Sequence, residues 1–214
     1  MTQEKIPIDI VSDVVCPWCA IGYWRLKKAI ATCAVEHLVN VVWHPFELNP
    51  NMAESGENLR AHLAQKYGTT LEGSIRARAM LTAEGKKVGF TFNYFDEMKM
   101  LNTHPCHQLL HWAKEVGLQT QLAEALFAHF FSDRGEFSHD ELVAVATQVG
   151  LDASEASNIL THNRYSDTVK QYEQEWRTKG VQGVPLFIFN GENVLSGAQE
   201  VATFEQVLKQ HCNE

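Results

Sequence analysis

Residues 6–19, which read IPIDIVSDVVCPWC, decide how the first part of the chain is expected to fold. The apolar residues that dominate positions 6–15 are typical of a buried strand. Pro17 then predicts the start of a helix, because the missing N–H of proline costs nothing at the first helical position. Residues 38–46, LVNVVWHPF, predict a second strand. The beginning of the chain therefore has the order strand, helix, strand.

The middle of the chain has a different hydrophobic pattern. From about residue 51 to residue 179, apolar residues recur with helical spacing, which predicts a series of helices and no strands. Ser138 is followed three residues later by Glu141, and this spacing predicts a capping box at the start of one helix. This long segment is expected to form a helical insertion.

The strand pattern returns in residues 184–196, where Asn190-Gly191 between two apolar runs predicts a hairpin. A last helix is expected over about 199–212. Together the two ends of the chain resemble the thioredoxin fold, so the predicted class is α/β, thioredoxin-like, with a large all-helical insertion. The expected bounds are 1–50 with 180–214 for the discontinuous thioredoxin-like domain and 51–179 for the insertion.

Composition and charge exclude several classes of partner. The 214 residues carry a net charge of −8 and no cluster of Lys and Arg, which argues against nucleic acid. No run approaches the ~20 apolar residues of a membrane span, so no membrane partner is expected. The N-terminal residues 1–7 lack the basic and apolar regions of a secretory signal. The sequence therefore predicts a cytoplasmic protein.

The five cysteines consist of one close pair and three scattered residues. An odd, scattered set is unlike the disulfide framework of a secreted domain, and it fits a reducing compartment with a dedicated redox pair. The close pair is Cys16 and Cys19, in the motif Cys-Pro-Trp-Cys. The other three cysteines are Cys33, Cys106 and Cys212. Cys33 and Cys106 are in phase with apolar positions of predicted helices, and Cys212 lies near the C-terminus.

The position of the close pair predicts two different roles for its thiols. If Pro17 is the first helical residue, Cys16 is the N-cap, and its sulfur is expected to face the free N–H groups of Trp18 and Cys19. Those donors and the positive end of the helix favour thiolate over thiol. Cys19 lies one turn into the helix and suits the resolving role in thiol–disulfide exchange.

Metal sites have little support in the sequence. A structural zinc needs four ligands, usually two such cysteine pairs or cysteines with histidines, and only one pair is present. His104, His107 and His111 share one face of a predicted helix, but no HExxH pattern accompanies them. No metal site is expected. A purely structural disulfide is also disfavoured, because such bonds are rare in the cytoplasm.

The sequence resembles the DsbA family of thioredoxin-like oxidoreductases, specifically its FrnE-like branch. The resemblance spans nearly the whole chain and rests on these segments: Asp9-Ile10-Val11-Ser12-Asp13, Cys16-Pro17-Trp18-Cys19, Pro45-Phe46-Glu47-Leu48-Asn49-Pro50, Asn102-Thr103, Gly183-Val184-Pro185 and Ser196-Gly197-Ala198-Gln199.

The resemblance implies catalytic roles for Cys16 and Cys19 and a cis peptide bond before Pro185 that faces them. The backbone of Val184 would pair with the bound partner, with Pro17 and Trp18 completing the substrate-binding surface. It also implies that the insertion covers the active site. The expected partners are protein or small thiol and disulfide substrates, and the expected state is a monomer or a homodimer.

Two alternative functions remain open. Kappa-class glutathione transferases and 2-hydroxychromene-2-carboxylate isomerases use a related scaffold, usually with a serine at the position of Cys16. The presence of both Cys16 and Cys19 favours redox exchange over isomerisation. No bound cofactor is expected, and glutathione remains a possible co-substrate. The second alternative is a redox-regulated, chaperone-like binding protein that uses the helical insertion.

Overall fold

The computed structural model describes residues 5–212, so residues 1–4 of the N-terminal stretch considered above lie outside it, as do 213 and 214. The strands are β1 (Ile6–Ser12), β2 (Val39–Pro45), β3 (Glu57–Asn58), β4 (Lys99–Met100), β5 (Leu186–Phe189) and β6 (Asn193–Ser196). The helices are α1 (Pro17–Cys33), α2 (Leu59–Tyr67), α3 (Leu71–Lys87), α4 (His104–Glu115), α5 (Gln119–Phe131), α6 (His139–Gln148), α7 (Ala153–His162), α8 (Ser166–Thr178) and α9 (Val201–Cys212).

The central sheet joins the two ends of the chain. Its strand order is β2-β1-β5-β6, with β1 parallel to β2 and antiparallel to β5. The β5–β6 hairpin turns at Asn190 and Gly191, which have φ angles of 53° and 70°. Left-handed backbone of this kind favours asparagine and glycine, so the predicted hairpin is confirmed. Both ends of the chain are therefore needed to build one sheet.

Close packing fixes α1 against the sheet. A Cβ atom added at Gly22 would lie 2.9 Å from the Phe187 ring, so only glycine allows this approach of α1 to β5. Phe187 also packs against Phe204 of α9, with ring centroids 4.9 Å apart. On β2, the backbone N–H of Trp43 donates to Gln119 of the insertion at 3.0 Å. The buried apolar residues of the sheet and the insertion form one continuous core.

The insertion corrects one expectation. It was predicted to contain no strands, but β3 and β4 pair antiparallel with each other through residues 57–58 and 99–100. Neither strand joins the central sheet. Two paired residues are too few to produce an alternating pattern in the sequence, which is why periodicity does not detect them. The capping box of Ser138 and Glu141 at the start of α6 is present as predicted.

The first strand also ends earlier than predicted. The expected strand covered residues 6–15, but β1 ends at Ser12 and the chain then turns, with the Cys16 N–H donating to the Asp13 carbonyl at 3.0 Å. Val14 and Val15 are buried although they are not in a strand, so the predicted strand was extended to include these two apolar residues.

Among residues 5–212, no helix is both long enough and apolar enough to cross a membrane.

Candidate active site

The Cys-Pro-Trp-Cys motif lies where the turn after β1 enters α1. Pro17 is the first residue of the helix and Cys16 is its N-cap, with φ −87° and ψ 113°. The Cys19 N–H donates to the Cys16 carbonyl at 3.1 Å, which closes the first turn. The predicted helix start is confirmed, so the two cysteines occupy the N-cap and the third helical position of the same turn.

The two thiols differ in depth. Cys16 is 5% exposed and Cys19 is completely buried, so the predicted order of exposure is confirmed. Burial raises the pKa of the Cys19 thiol well above its ordinary value, and the hydrogen bond and charge of the neighbouring Cys16 raise it further. Cys19 is therefore held as a neutral thiol at rest, which suits a group that reacts second.

The contact made by the Cys16 sulfur differs from the prediction. The sulfur was expected to face the N–H groups of Trp18 and Cys19, but the side chain makes no capping hydrogen bond. Instead, the Cys16 thiol donates to the Val184 carbonyl over a distance of 3.8 Å. Sulfur is a weak acceptor for the helix N–H groups, whereas a carbonyl oxygen is a strong acceptor for the S–H group. The thiol is therefore directed toward the loop before β5.

That loop brings the second half of the site to the first. The Val184–Pro185 peptide bond is cis, the conformation that the family resemblance implies. Pairing of Val11 with Leu186 in the sheet holds this loop beside the end of β1. Trp18 is 37% exposed beside the cysteines, and a cleft of about 560 Å³ runs along residues 179–186. The six predicted site residues therefore lie at the same end of the sheet.

A buried acid–histidine pair that the sequence did not predict lies next to the motif. Asp13 is completely buried, and its Oδ2 accepts the Leu48 N–H at 2.8 Å. Its Oδ1 lies 3.5 Å from Nε2 of His107, which is also buried. Burial lowers the pKa of His107, but the Asp13 carboxylate and the charges of Glu47 and Glu173 outweigh burial and raise it overall. An imidazolium ion is therefore favoured beside Asp13.

Further polar groups, some buried and some partly buried, extend this pair into the insertion. Nδ1 of His104 lies 2.6 Å from Glu47, and its Nε2 lies 2.8 Å from the Ser166 hydroxyl. Burial raises the pKa of Glu173, and the charge of Glu47 raises it further. The sequence signal for this group was Asp13, a carboxylate within an apolar run, but its partners are distant in sequence and only the fold brings them together.

The three histidines considered as metal ligands have separate surroundings. His104 contacts Glu47, His107 faces Asp13, and His111 packs against the ring of Tyr165 at a centroid distance of 4.7 Å. Within residues 5–212, no group of three or more His, Cys, Asp or Glu side chains is arranged to hold a metal ion.

The three remaining cysteines lie outside the motif. Cys106 is completely buried, and burial followed by the charge of Asp13 raises its pKa well above the ordinary value, as expected for a core thiol. Cys33 and Cys212 are the last residues of α1 and α9 and are partly buried. Burial raises the pKa of Cys212, and the nearby Cys33 adds to this effect. The raised pKa makes Cys212 a weaker nucleophile than an ordinary thiol.

A solved structure with low sequence identity has a similar fold. The structure of 2-hydroxychromene-2-carboxylate isomerase is similar to this chain with a TM-score of 0.73 and 13% identity, covering 97% of this chain and 96% of the isomerase. At this identity the likeness concerns the fold alone.

More similar proteins indicate the family. YwbO, an uncharacterized protein from Bacillus subtilis (strain 168), is 28% identical over 205 residues, which are 95% of this chain and 96% of YwbO. The crystal structure of the probable DsbA oxidoreductase SCO1869 from Streptomyces coelicolor is similar with a TM-score of 0.90 and 33% identity, covering 98% of this chain and 91% of that chain. The family model described as DSBA-like thioredoxin domain matches residues 7–209. On these findings, the chain belongs to the DSBA-like thioredoxin domain family.

Proposed function

We propose that the protein is a thiol–disulfide oxidoreductase that works through Cys16 and Cys19. The observation that carries this proposal is the arrangement of the two thiols in one helical turn: the N-cap thiol of Cys16 is directed at the Val184 carbonyl, and the buried thiol of Cys19 lies behind it. Membership of the DSBA-like family supports the same chemistry.

The proposed reaction uses the two thiols in sequence. Cys16, as thiolate, attacks one sulfur of a disulfide R–S–S–R, which forms a Cys16–S–S–R mixed disulfide and releases R–S⁻ with the electron pair of the broken bond. Cys19 then loses its proton, attacks the Cys16 sulfur and releases the second R–S⁻. The protein dithiol becomes a disulfide, and the substrate gains two electrons. The same steps in reverse oxidise a substrate dithiol.

The loop around the cis bond supports a binding role for Val184 and Pro185. A partner whose sulfur reaches Cys16 would also meet the Val184 backbone, where an extended peptide could pair as an added strand. Pro17 and the exposed ring of Trp18, which directly follow Cys16 in the chain, offer apolar surface to a partner. The proposed substrates are therefore protein or small-molecule thiols and disulfides, with glutathione as one candidate co-substrate and no bound cofactor.

The cellular compartment is part of the proposal. One redox pair accompanied by three other free cysteines is better suited to the reducing cytoplasm than to an oxidising compartment. The proposed state is a monomer or a homodimer.

Catalysed reduction of insulin disulfides by dithiothreitol tests the proposed function. The wild-type protein should accelerate the reaction, and Cys16→Ser should reduce the rate to that of dithiothreitol alone because no attacking thiol remains. Cys19→Ser should lose most of the activity, since the mixed disulfide is no longer resolved within the protein. Cys33→Ser, at the far end of α1, is the matched control and should keep the wild-type rate. Full activity of Cys16→Ser would refute the proposal.

The same variants separate the alternatives. A glutathione-dependent isomerase, suggested by the shared fold, would need Cys16 but would keep full isomerase activity in Cys19→Ser. A chaperone-like binding protein would still suppress aggregation of an unfolded client when both cysteines are replaced. Neither alternative accounts for the buried resolving thiol in the same helical turn, and this observation favours the oxidoreductase.

A further inference from the structure

The cleft beside the cis peptide bond reaches the reactive sulfur. It has a volume of about 560 Å³ and is lined by residues 179–186 and by part of the β5–β6 hairpin. One of its lining residues is Val184, whose carbonyl oxygen lies 3.8 Å from the Cys16 sulfur. A substrate whose sulfur reacts with Cys16 can therefore extend its neighbouring groups into this cleft.

The loop before β5 leaves the cleft open to a ligand. Gln182 and Gly183 are exposed, and a Cβ atom added at Gly183 would have no atom within 4 Å apart from those of its chain neighbours. Among the hydrogen bonds of residues 5–212, none uses the N–H groups of Gln182, Gly183 or Val184. These donors are therefore available to the backbone of an extended peptide that pairs with the loop.

The charge lining this cleft is positive, unlike the charge of the whole chain. Lys179 is the one charged residue among the described residues that line it. By contrast, a second cleft of about 610 Å³, lined mainly by the insertion, has four glutamates in its lining, Glu47, Glu54, Glu136 and Glu173. The net charge of −8 disfavours the approach of acidic groups in general. The cleft beside the cis bond is therefore the place where an acidic group would be attracted.

The ammonium group of Lys179 is held by an aromatic ring. Its Nζ lies 4.5 Å from the centroid of the Trp176 ring, which itself packs against His44 with a centroid distance of 5.0 Å. Lys179 takes part in no ion pair among the described residues, and it is exposed. A cation–π contact orients the ammonium group without neutralising its charge. The charge of Lys179 therefore remains available to a carboxylate of a ligand in the cleft.

The length of the loop limits how far Lys179 lies from the site of reaction. The chain from Lys179 to Val184 spans at most about 18 Å, even when fully extended. An extended peptide advances by about 3.3 Å per residue. A carboxylate that meets Lys179 would therefore belong to a residue within about five positions of the substrate cysteine that reacts with Cys16.

We propose that the cleft along residues 179–186 binds an extended segment of a protein substrate, and that Lys179 selects segments with an acidic residue near the reactive cysteine. This inference rests on the proposed function and specifies its substrate class. Lys179 acts in selection among substrates, whereas the exchange itself is carried out by Cys16 and Cys19.

Four activated peptides test the inference. Each has one cysteine in an alanine framework, joined through a disulfide to uncharged 2-thiopyridine. One peptide carries two glutamates at the third and fourth residues before the cysteine, and another carries them at the same distance after it. The remaining two peptides carry glutamines at these positions. The two glutamate peptides therefore have the same net charge and differ only in which side of the cysteine is acidic.

The reaction of each peptide with the reduced protein is followed by absorbance. The Cys16 thiolate attacks the peptide sulfur, and 2-thiopyridone leaves with the electron pair of the broken S–S bond because it is the better leaving group. Cys19 then loses its proton, attacks the Cys16 sulfur and releases the peptide as a thiolate. Each rate of 2-thiopyridone release is divided by that of the same peptide with dithiothreitol, which corrects for intrinsic reactivity.

One of the two glutamate peptides should react about threefold faster than its glutamine counterpart, the size expected of a single exposed ion pair. The other should show no such gain, because its acidic residues extend away from Lys179. Lys179→Gln should abolish the gain and leave both glutamine peptides unchanged. Lys170→Gln is the matched control, since it removes the same charge from an exposed position of α8 outside the cleft, and it should keep the preference. High salt should weaken the preference.

Three results would overturn the inference while leaving the oxidoreductase proposal intact. Neither glutamate peptide reacts faster than its glutamine counterpart, or Lys179→Gln keeps the full preference. The third is a preference for dithiodipropionate over hydroxyethyl disulfide that depends on Lys179 and is shown by neither peptide, which would indicate a small acidic disulfide instead of a peptide segment. If all four peptides reacted no faster with the wild-type protein than with Cys16→Ser, the proposed function would fail and the inference with it.

Discussion

The two sulfurs of the motif differ because they occupy different depths of one helical turn. Cys16 precedes the helix and its thiol reaches the Val184 carbonyl, while Cys19 is enclosed on all sides. The sequence predicts this difference, because Pro17 fixes the helix start and the rest follows from helical geometry. It does not predict the contact with Val184, since nothing local in the motif specifies which distant carbonyl the sulfur meets.

His107 is expected to make the stability of the fold depend on pH. Its pKa in the folded protein lies above the ordinary value of 6.5, so the imidazolium form stabilises the fold fully below that pH. This stabilisation is lost as the pH rises through the raised pKa. His107→Gln should therefore lower the free energy of unfolding by roughly 1–3 kcal/mol at pH 5, as expected for removing one partner of a buried polar pair, and by less at pH 9. Urea unfolding at the two pH values measures this difference.

His111 supplies the matched control for that experiment. Burial lowers its pKa below 6.5, so the folded state prefers the neutral ring and is penalised as the pH falls. His111→Gln should relieve this penalty and become relatively more stable toward acid, which is the opposite trend. A His107→Gln effect that did not change with pH would contradict the ion pair with Asp13.

At the scale of helices and strands, sequence patterns succeed where an element is long and fail where it is short. The helices of the insertion follow from their apolar spacing, and the Ser138 capping box follows from the position of Glu141. The β3–β4 pair was missed because each strand has only two residues. The length of β1 was overestimated for a different reason. Val14 and Val15 are buried in a turn, and their apolar character alone does not distinguish a buried turn from a buried strand.

Ser138→Ala tests the contribution of the capping box to α6. The substitution removes the acceptor for the Glu141 N–H, and the expected loss is about 1 kcal/mol of unfolding free energy. Ser55→Ala, at an exposed loop position, should change stability by less than about 0.5 kcal/mol. Denaturant unfolding compares the two variants. Equal stability of both would show that the capping box does not support the helix.

At the scale of the whole molecule, the fold assembles the site from segments that are distant in sequence. The order of elements predicts that the chain leaves and re-enters one sheet, and the pairing of β1 with β5 realises this. The local part of the site, Cys16 to Cys19, is therefore predictable from sequence, and Val184 with Pro185 is predictable through the family resemblance. The partners of Asp13 could not be predicted, because they depend on how the insertion packs against the end of β1.

The central claim is that the fold makes Cys16 the attacking thiol and Cys19 the protected one. The reduced protein is treated briefly with iodoacetamide at neutral pH, natively and in urea, and peptide mass spectrometry measures the labelling of each cysteine. In the native protein, Cys16 should be labelled first, because Cys19 is buried and its pKa is raised. In urea the two should react at similar rates. Equal labelling of both cysteines in the native protein, or faster labelling of Cys19, would contradict the account.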